Sequence, residues 1–346
     1  MREKGVTMKR NMHGGDIYRN QVDIDFSISV NPLGIPEPVK AALYWAVNRC
    51  DRYPDMEAAK LKKAVSNMLA VPQEYLLFGN GASELLMAAV HGIRPRKVVI
   101  PVPSFYGYEY AAKAVGSEIV YYRMKEENGF RMAEDIAGVL TRDVELLFLA
   151  NPNNPTGALL QKNAVKDLLG YCRDRGIYVV LDECFIEFSG GRFSIFPAVK
   201  EFDNLLLVRA FTKIFSIPGV RLGYLLCGNR PLLIKIAEQL PEWNLSCFAQ
   251  EAGCICAAQA AFLSETEDHI RRERQFLEEG LKKKGFPVFP SMANFILFYS
   301  EEPLYEKLLK KGILIRDCKN FRGLGQGFYR VAVKNRKDHE ILLENL

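Results

Sequence analysis

The stretch LLLVRAFTKIFSIPGVRLGYLLC (residues 205–227) contains two apolar runs with a lysine between them. The runs at 205–209 and 223–227 are typical of buried strands, and the connection between them is too short for a helical crossover. A hairpin, and therefore an antiparallel strand in a mixed sheet, fits this spacing better. Lys213 lies in an apolar segment, where burial can lower the pKa of a lysine by roughly 3–5 units. It is either a solvated lysine in a strand–loop segment or a lysine whose reactive amine serves the function of the protein.

The rest of the first two thirds of the chain alternates short apolar runs with helical patterns. Runs of strand character lie at 97–101, 118–122, 145–150 and 177–182, and helical patterns lie at 83–93, 105–115 and 162–176. This alternation predicts the α/β class, with a mainly parallel sheet covered by helices on both faces.

The pattern changes after about residue 230. A long helical stretch, roughly 231–285 with an interruption near Pro241, precedes shorter strand candidates at 293–300, 312–317 and 328–334. The sequence therefore predicts a loop-rich N-terminal arm (1–40) that joins the small domain, a large domain (41–235) and a small α+β domain (236–346). A single large α/β unit is the alternative for 346 residues.

Composition narrows the class of protein. The chain is 49% hydrophobic and 25% charged, which is ordinary for a soluble globular protein, and its net charge is +5 without a dense basic block. This balance disfavours a nucleic-acid partner and favours anionic small molecules. No apolar run approaches the roughly 20 residues of a membrane span, and the first residues lack the apolar core of a signal peptide. Met8 is an alternative start.

The eight cysteines give no metal-binding pattern. Only Cys254 and Cys256 lie close together in sequence, and no neighbouring histidine completes a ligand set. We therefore expect no metal and no disulfide, and a reducing cytoplasm as the compartment.

Two further motifs follow strands of the predicted sheet. NPNNPTG (151–157) is either a simple tight turn or a turn that places Asn154 at the ligand-binding edge of the sheet. Asp182 ends the next strand, where a carboxylate needs a cation or several donors. It either pairs with an arginine or keeps the nitrogen of a pyridine ring protonated, as pyridoxal phosphate (PLP) requires.

FGNGASELL (78–86) is a glycine-rich turn that opens a helix, which suits a phosphate group. Glu84 stands where a dinucleotide fingerprint would need a third glycine or alanine, so the motif disfavours a dinucleotide. Ser83 as a helix N-cap is compatible with a phosphate site and with a plain helix start. Lys213 would then bind PLP covalently, while Thr212 and Arg221 bind the cofactor phosphate.

With these motifs in this order, the chain resembles the fold-type I PLP-dependent enzymes of the aspartate aminotransferase superfamily over nearly its whole length. Within them it is most similar to the histidinol-phosphate aminotransferase branch, and there to the L-threonine-O-3-phosphate decarboxylases of cobalamin biosynthesis. The stretches HGGDIY (13–18), DFSISVNPLG (25–34), TKIFSIPGVRLGYLL (212–226) and ILIRDCKNFRGLGQGFYRVAV (313–333) carry the narrower resemblance. It implies a mixed seven-stranded sheet and a homodimer with shared active sites.

The resemblance also implies a role for each matching residue. Lys213 would be the catalytic lysine, Asp182 would contact the pyridine nitrogen, and Asn154 would contact the 3-oxygen of the ring. The other implied cofactor contacts are Gly81, Ala82, Ser83, Phe105, Thr212, Arg221 and, from a second subunit, Tyr53. The implied substrate contacts are His13, Ser29, Arg316 and Arg330.

Two positions depart from the pattern of these relatives. Phe185 stands where many aminotransferases have a tyrosine, although the decarboxylases also tend to have phenylalanine here. Ser29 stands where the decarboxylases have asparagine, so one substrate contact is shortened.

The expected reaction is decarboxylation of a phosphorylated amino acid through an external aldimine, which gives an aminoalkyl phosphate. It follows if the arginines hold the substrate phosphate. If Arg330 instead holds the carboxylate in the ring plane, Lys213 removes the Cα proton and transamination with 2-oxoglutarate results. A PLP-binding protein without turnover is a third possibility.

Overall fold

The computed structural model describes residues 13–346. The strands in this range are β1 (Ile24–Asp25), β2 (Leu76–Asn80), β3 (Lys97–Val102), β4 (Glu118–Arg123), β5 (Leu146–Ala150), β6 (Tyr178–Asp182), β7 (Leu205–Ala210), β8 (Leu222–Leu226), β9 (Val288–Phe289), β10 (Phe295–Tyr299), β11 (Ile313–Leu314), β12 (Arg316–Asp317) and β13 (Phe328–Ala332). The helices are α1 (Glu37–Ala46), α2 (Ala59–Leu69), α3 (Ala82–Ile93), α4 (Tyr106–Ala114), α5 (Lys162–Arg173), α6 (Phe211–Ile214), α7 (Arg230–Ala237), α8 (Cys247–Cys256), α9 (Ala260–Lys283), α10 (Leu304–Leu309) and α11 (Arg336–Asn345). The alternative start at Met8 lies outside the described residues.

The large sheet has seven strands in the order β2-β8-β7-β6-β5-β3-β4. Strand β8 is antiparallel to both of its neighbours, β7 and β2, and the other neighbouring pairs are parallel. The sheet is therefore mixed and mainly parallel, as predicted, and the expected hairpin between 205–209 and 223–227 is confirmed. Strand β7 is buried along its whole length, because helices cover both faces of the sheet.

Amphipathic helices supply this cover. In α5 the buried residues are Val165, Leu168, Leu169 and Cys172, a spacing that places them on one face of the helix. They join the large hydrophobic core formed by the strands of the seven-stranded sheet.

The C-terminal third of the chain forms the smaller C-terminal domain, in which helices pack on a second sheet. Its four-stranded sheet has the order β12-β13-β10-β9, and β1 pairs in parallel with β11. A separate core packs behind this sheet and includes Phe26 from the N-terminal segment. The N-terminal segment thus contacts the small domain, whereas its role as an arm and the boundaries at 40/41 and 235/236 remain predictions.

The long helix α9 links the two cores. Ile270 packs in the core of the large sheet, and Leu277 and Leu281 pack in the core of the small domain. Twenty-four residues give a helix of about 36 Å, which is long enough to reach from one core to the other.

The helical stretch predicted at 231–285 has two interruptions, of which only the one near Pro241 was expected. Three helices occupy it, and the breaks fall at 238–246 and 257–259. The first break contains Pro241, where an interruption was expected. The second lies between Cys256 and Ala260, where the sequence has no proline or glycine to signal it. No helix within residues 13–346 is long and apolar enough to cross a membrane.

Helix α7 allows a matched test of this packing, because two of its isoleucines differ in burial. Ile236 is fully buried and lies so close to α3 that a Cβ on Gly92 would be 3.0 Å from its Cα, whereas Ile234 is 50% exposed. Ile236→Ala should lower the free energy of unfolding by about 2–5 kcal/mol, and Ile234→Ala by less than about 1 kcal/mol. Urea unfolding measures both, and equal losses would contradict the packing of α7 against α3.

Candidate active site

One edge of the large sheet collects the predicted site residues. Because β8 runs against the other six strands, it begins at the edge where they end, so the turn after β2 and the residue before β8 lie at the same edge. Ligands bind at this carboxyl edge in open α/β sheets. The segments that follow β3, β5 and β7 supply Phe105, Asn154 and Lys213, and Asp182 is the last residue of β6.

A cavity of about 820 Å³ opens at this edge. The predicted residues that line it are His13, Ser29, Ala82, Ser83, Phe105, Asn154, Asp182, Thr212, Lys213, Arg221, Arg316 and Arg330. Gly81 lies immediately behind the wall, against Arg221. The cavity therefore brings together, within one chain, every predicted site residue except Tyr53.

Lys213 lies on the cavity wall, between the buried residues Thr212 and Ile214 of α6. Burial lowers its pKa, and the positive charges of Arg330 and Arg221 lower it further. The backbone at this point is held by Asn31, whose N–H donates to the Lys213 carbonyl at 3.0 Å and whose side chain donates to the next carbonyl at 2.8 Å. A fixed lysine with a lowered pKa has a larger neutral, nucleophilic fraction.

Asp182 is held by two donors at the end of β6. Its Oδ1 accepts from the Cys184 backbone N–H at 2.9 Å, and its Oδ2 accepts from the Tyr108 hydroxyl at 2.7 Å. Tyr108 is fully enclosed, and burial together with the Asp182 charge raises its pKa well above the usual value. The tyrosine therefore remains a hydrogen-bond donor and fixes the orientation of the carboxylate.

The glycine-rich turn after β2 forms an anion cradle with Arg221. Gly81 has φ +77°, and a Cβ at this position would lie 2.5 Å from Arg221 Nη2, so only glycine leaves room for the guanidinium. Helix α3 begins at Ala82 with Gly81 as its N-cap and without a side-chain cap. The interpretation of Ser83 as an N-cap is thus wrong, because the N-cap is Gly81, two residues earlier. The first N–H groups of α3 have no intrahelical acceptor.

Arg316 and Arg330 place two further positive charges on the cavity wall. They are directly opposite each other in the β12–β13 pair, and both are buried. Arg330 donates to the Asn154 Oδ1 and to the Ser27 carbonyl, while its buried Nε lacks a partner. Arg316 donates to the Asp317 carbonyl and to Asn320. Within residues 13–346 neither forms a salt bridge to a carboxylate.

The proximity of these two buried positive charges is electrostatically unfavourable. Burial lowers the pKa of Arg330 to about 10, and the charge of Arg316 adds to that effect. Burial also lowers the pKa of Arg316. Like charges directly opposite on neighbouring strands are destabilising, so an anion between the two guanidiniums would relieve both effects.

His13 and Ser29 complete this part of the wall. Burial, followed by the charge of Arg316, lowers the pKa of His13, and its ring lies 6.5 Å from that of Phe105. The Ser29 hydroxyl is buried and has no hydrogen-bond partner. A buried hydroxyl of this kind is available to a ligand in the cavity.

Tyr53 is the predicted site residue that the cavity does not include. It is 78% exposed and packs against Trp243, with ring centroids 4.8 Å apart. A contact with the site of a second subunit remains a prediction.

Sequence reasoning missed several residues of the site. Tyr108 and Arg123 line the cavity, and Asn31 holds the backbone at Lys213. The NPLG motif that contains Asn31 was a usable signal. Tyr108 had none, since it lies in an ordinary helical pattern on α4 and meets Asp182, at the end of β6, only in the folded chain.

A buried ion pair supports the strand ends beneath the cavity. Arg209 Nη2 lies 2.8 Å from Glu183 Oε2, and Glu183 also accepts from Ser194 at 2.6 Å and from the Ile195 N–H at 2.8 Å. Glu187 lies 3.8 Å from Arg209, and burial raises its pKa. Glu183 directly follows Asp182, so this network anchors the backbone of the site.

Comparison with known proteins agrees with this fold and site. A family model described as aminotransferase class I and II matches residues 22–346. A protein of Caldanaerobacter subterraneus subsp. tengcongensis, provisionally named threonine-phosphate decarboxylase, is 38% identical over 99% of this chain and 95% of its own length. The threonine-phosphate decarboxylase of Salmonella typhimurium is 33% identical over 93% of this chain and 90% of its own length. The structure of the histidinol-phosphate aminotransferase from Clostridium acetobutylicum has a TM-score of 0.88 and 33% identity, and covers 93% of this chain and 98% of that chain.

The fold and the cavity define an α/β enzyme with a lysine at the centre of its site. Because the family model spans nearly the whole chain and relatives share more than 30% identity with it, the chain belongs to the class I and II aminotransferase family.

No group of three or more potential metal ligands occurs in the part of the chain that the structure describes.

The ion pair beneath the site gives a stability prediction. Arg209→Met should lower the free energy of unfolding by about 3–5 kcal/mol, because it leaves the Glu183 carboxylate buried without its cation. Arg192→Met is the matched control, since the Arg192–Glu267 pair is exposed and should contribute less than about 1 kcal/mol. Urea unfolding distinguishes the two, and a loss for Arg209→Met as small as that for Arg192→Met would contradict a supporting role.

Proposed function

We propose that this chain is a PLP-dependent decarboxylase of L-threonine O-3-phosphate or a closely similar phosphorylated amino acid. Two relatives that carry the name threonine-phosphate decarboxylase, at 38% and 33% identity over nearly the whole chain, support the substrate. The observation in the structure that carries the proposal is the pair of buried arginines, Arg316 and Arg330, which face the cavity without carboxylate partners. The product would be an aminoalkyl phosphate for cobalamin biosynthesis.

The residues at the sheet edge fit PLP. Gly81, Ala82, Ser83, Thr212 and Arg221 would hold its phosphate, since the free N–H groups of α3 and the guanidinium converge there. When bound, PLP supplies a protonated pyridine ring that accepts the electron pair of a broken Cα bond.

The chain itself holds and moves the protons. Asp182 would keep the ring nitrogen protonated, and Tyr108 keeps its carboxylate oriented. Asn154 would bind the ring oxygen through its side-chain N–H₂ group, because Arg330 already donates to its Oδ1. Lys213 would hold the cofactor covalently and, once released, carry a proton at Nζ. Phe105 would stack on the ring.

The substrate has two anionic groups, and the cavity offers two buried guanidiniums. Arg330 lies on the Lys213 side, since its charge acts on the lysine, and Arg316 lies toward His13. We place the substrate phosphate and carboxylate against this pair, with His13 and Ser29 as additional donors. Which group each arginine holds decides whether the carboxylate or the Cα proton is lost.

One comparison favours a second function. The Clostridium acetobutylicum structure, at 33% identity, is titled histidinol-phosphate aminotransferase. Transamination of histidinol phosphate or an aromatic amino acid with 2-oxoglutarate is therefore the alternative.

The proposal extends to assembly and compartment. We propose a homodimer in which the exposed Tyr53 reaches the cofactor phosphate of the partner subunit, and a cytoplasmic enzyme. The exposure of Tyr53 and its position outside its own cavity support the shared site.

A pair of assays tests the reaction. With L-threonine O-3-phosphate and no 2-oxo acid, the holoenzyme should release CO₂ catalytically. Unphosphorylated L-threonine should have a kcat/KM about 10–150-fold lower, because each charge-assisted hydrogen bond to the phosphate contributes about 1.5–3 kcal/mol. Released CO₂ and the aminoalkyl phosphate are measured directly.

The second assay supplies histidinol phosphate with 2-oxoglutarate. Glutamate formation there, without CO₂ release in the first assay, would replace the decarboxylase by the aminotransferase. Cofactor binding without turnover on either substrate would identify a non-catalytic PLP-binding protein.

Lys213 gives an independent test of the site. Lys213→Ala should abolish the absorbance of lysine-bound cofactor, whereas Lys113→Ala, at another cavity-lining lysine, should retain it. In the wild-type apoprotein the rate of cofactor capture should rise with pH and level off below the ordinary lysine pKa of about 10.4, because a lowered pKa leaves more neutral amine at each pH. Persistent absorbance in Lys213→Ala, or a midpoint at or above 10.4, would contradict the assignment.

A further inference from the structure

Two cysteines far apart in sequence meet on the surface, away from the cavity. Cys50 follows a 3₁₀ turn at Val47–Arg49, and Cys247 is the first residue of α8. Their Sγ atoms are 3.8 Å apart, with Cys50 exposed and Cys247 partly exposed. Neither residue lines the cavity.

The two thiols are oriented toward the same point. Each donates to the carbonyl oxygen of Ala46 at 3.7 Å, so the sulfurs lie side by side. A disulfide has an S–S distance of about 2.05 Å, so closing the gap requires less than about 2 Å of sulfur movement. The sequence neighbours Cys254 and Cys256 have no such arrangement, because positions two apart on a helix do not face each other.

The segments that carry these thiols are tied to each other and to the anion cradle. Tyr53 packs on Trp243, and the Gln250 side chain donates to the Asp55 carbonyl at 2.7 Å. Three residues before Cys247, Asn244 donates to the Glu84 carboxylate at 2.9 Å in the first turn of α3. A covalent link between Cys50 and Cys247 would therefore join two segments that already contact each other, one of which contacts the first turn of α3.

We propose that Cys50 and Cys247 form a reversible intrachain disulfide when the protein meets a peroxide or a small-molecule disulfide. With hydrogen peroxide, one thiol loses its proton and its thiolate attacks a peroxide oxygen; the leaving hydroxide takes up that proton, which gives a sulfenic acid and water. The second thiol then attacks that sulfur, the S–S bond forms and a second water leaves, so two thiols are oxidised and one peroxide is reduced. The exposed Cys50 is the thiol that meets the oxidant first.

This pair modifies our expectation that the chain forms no disulfide. In a reducing compartment a pair of this kind is a thiol pair at rest and a disulfide under oxidation, which is the usual behaviour of redox-sensing cysteines. The inference rests on the geometry of the thiols and is independent of the reaction that the enzyme catalyses.

Peptide mapping of the full-length holoenzyme tests the inference. After treatment with hydrogen peroxide or glutathione disulfide, alkylation and digestion without reductant, the peptides of Cys50 and Cys247 should be cross-linked, and two of the eight thiols should be lost. Dithiothreitol should restore both. Cys50→Ser and Cys247→Ser should each abolish the cross-link, whereas Cys254→Ser, at another partly exposed cysteine of α8, should leave it intact.

Three results would overturn the inference. One is that both peptides remain alkylated while other cysteines are oxidised. Another is that Cys50 is found only as a sulfinic or sulfonic acid. The third is that oxidation joins two chains, which a dimer band on a non-reducing denaturing gel would reveal.

Discussion

The common direction of six strands in the large sheet is the constraint on which the cavity depends. Parallel strands need crossovers, and each crossover leaves the sheet at the same carboxyl edge. Phe105, Asn154, Asp182 and Lys213 meet there for that reason, although they are distant in sequence. The reversed strand β8 begins at this edge and so returns Arg221 to the turn after β2.

This arrangement concentrates positive charge that the rest of the fold must tolerate. Lysines and arginines outnumber carboxylates on the cavity wall, where Asp182 and Glu109 are the acidic residues within the described chain. Glu109 forms salt bridges with Lys113 and Arg322, so it does not balance the charges of Lys213 and the other arginines of the cavity wall. Buried cations without a counter-charge lower the stability of the fold. The apolar side chains buried against the two sheets offset that cost. An anionic cofactor and substrate would complete the charge balance.

The sequence predicted those parts of the molecule that depend on local pattern. Apolar runs located β3 to β8, β10 and β13 to within about two residues, whereas the run at 312–317 is two short strands and no run was predicted for β1 or β9. Turn motifs next to strand ends pointed to Asn154, Asp182 and Lys213. It could not locate features that arise from contacts between distant segments. The hydrogen bond from Tyr108 to Asp182 and the pairing of Cys50 with Cys247 require the folded neighbourhood. The break at 257–259 has no proline or glycine to mark it.

Phe185, which stands where many aminotransferases have a tyrosine, belongs to a series of contacts that connects the two ends of the cavity. Its ring packs edge-on against Phe295, with centroids 5.1 Å apart, and the Arg330 guanidinium lies 4.9 Å above the ring of Phe295. A tyrosine hydroxyl is absent at Phe185, so in the proposed site Asn154 would be the residue left to bind the ring oxygen of the cofactor. Arg330 donates to Asn154 and lies over the ring of Phe295, so a movement of this arginine toward a substrate anion would also shift the residue proposed to bind the cofactor ring. In the proposed site, substrate binding and the position of the cofactor ring would thereby be coupled through one side chain.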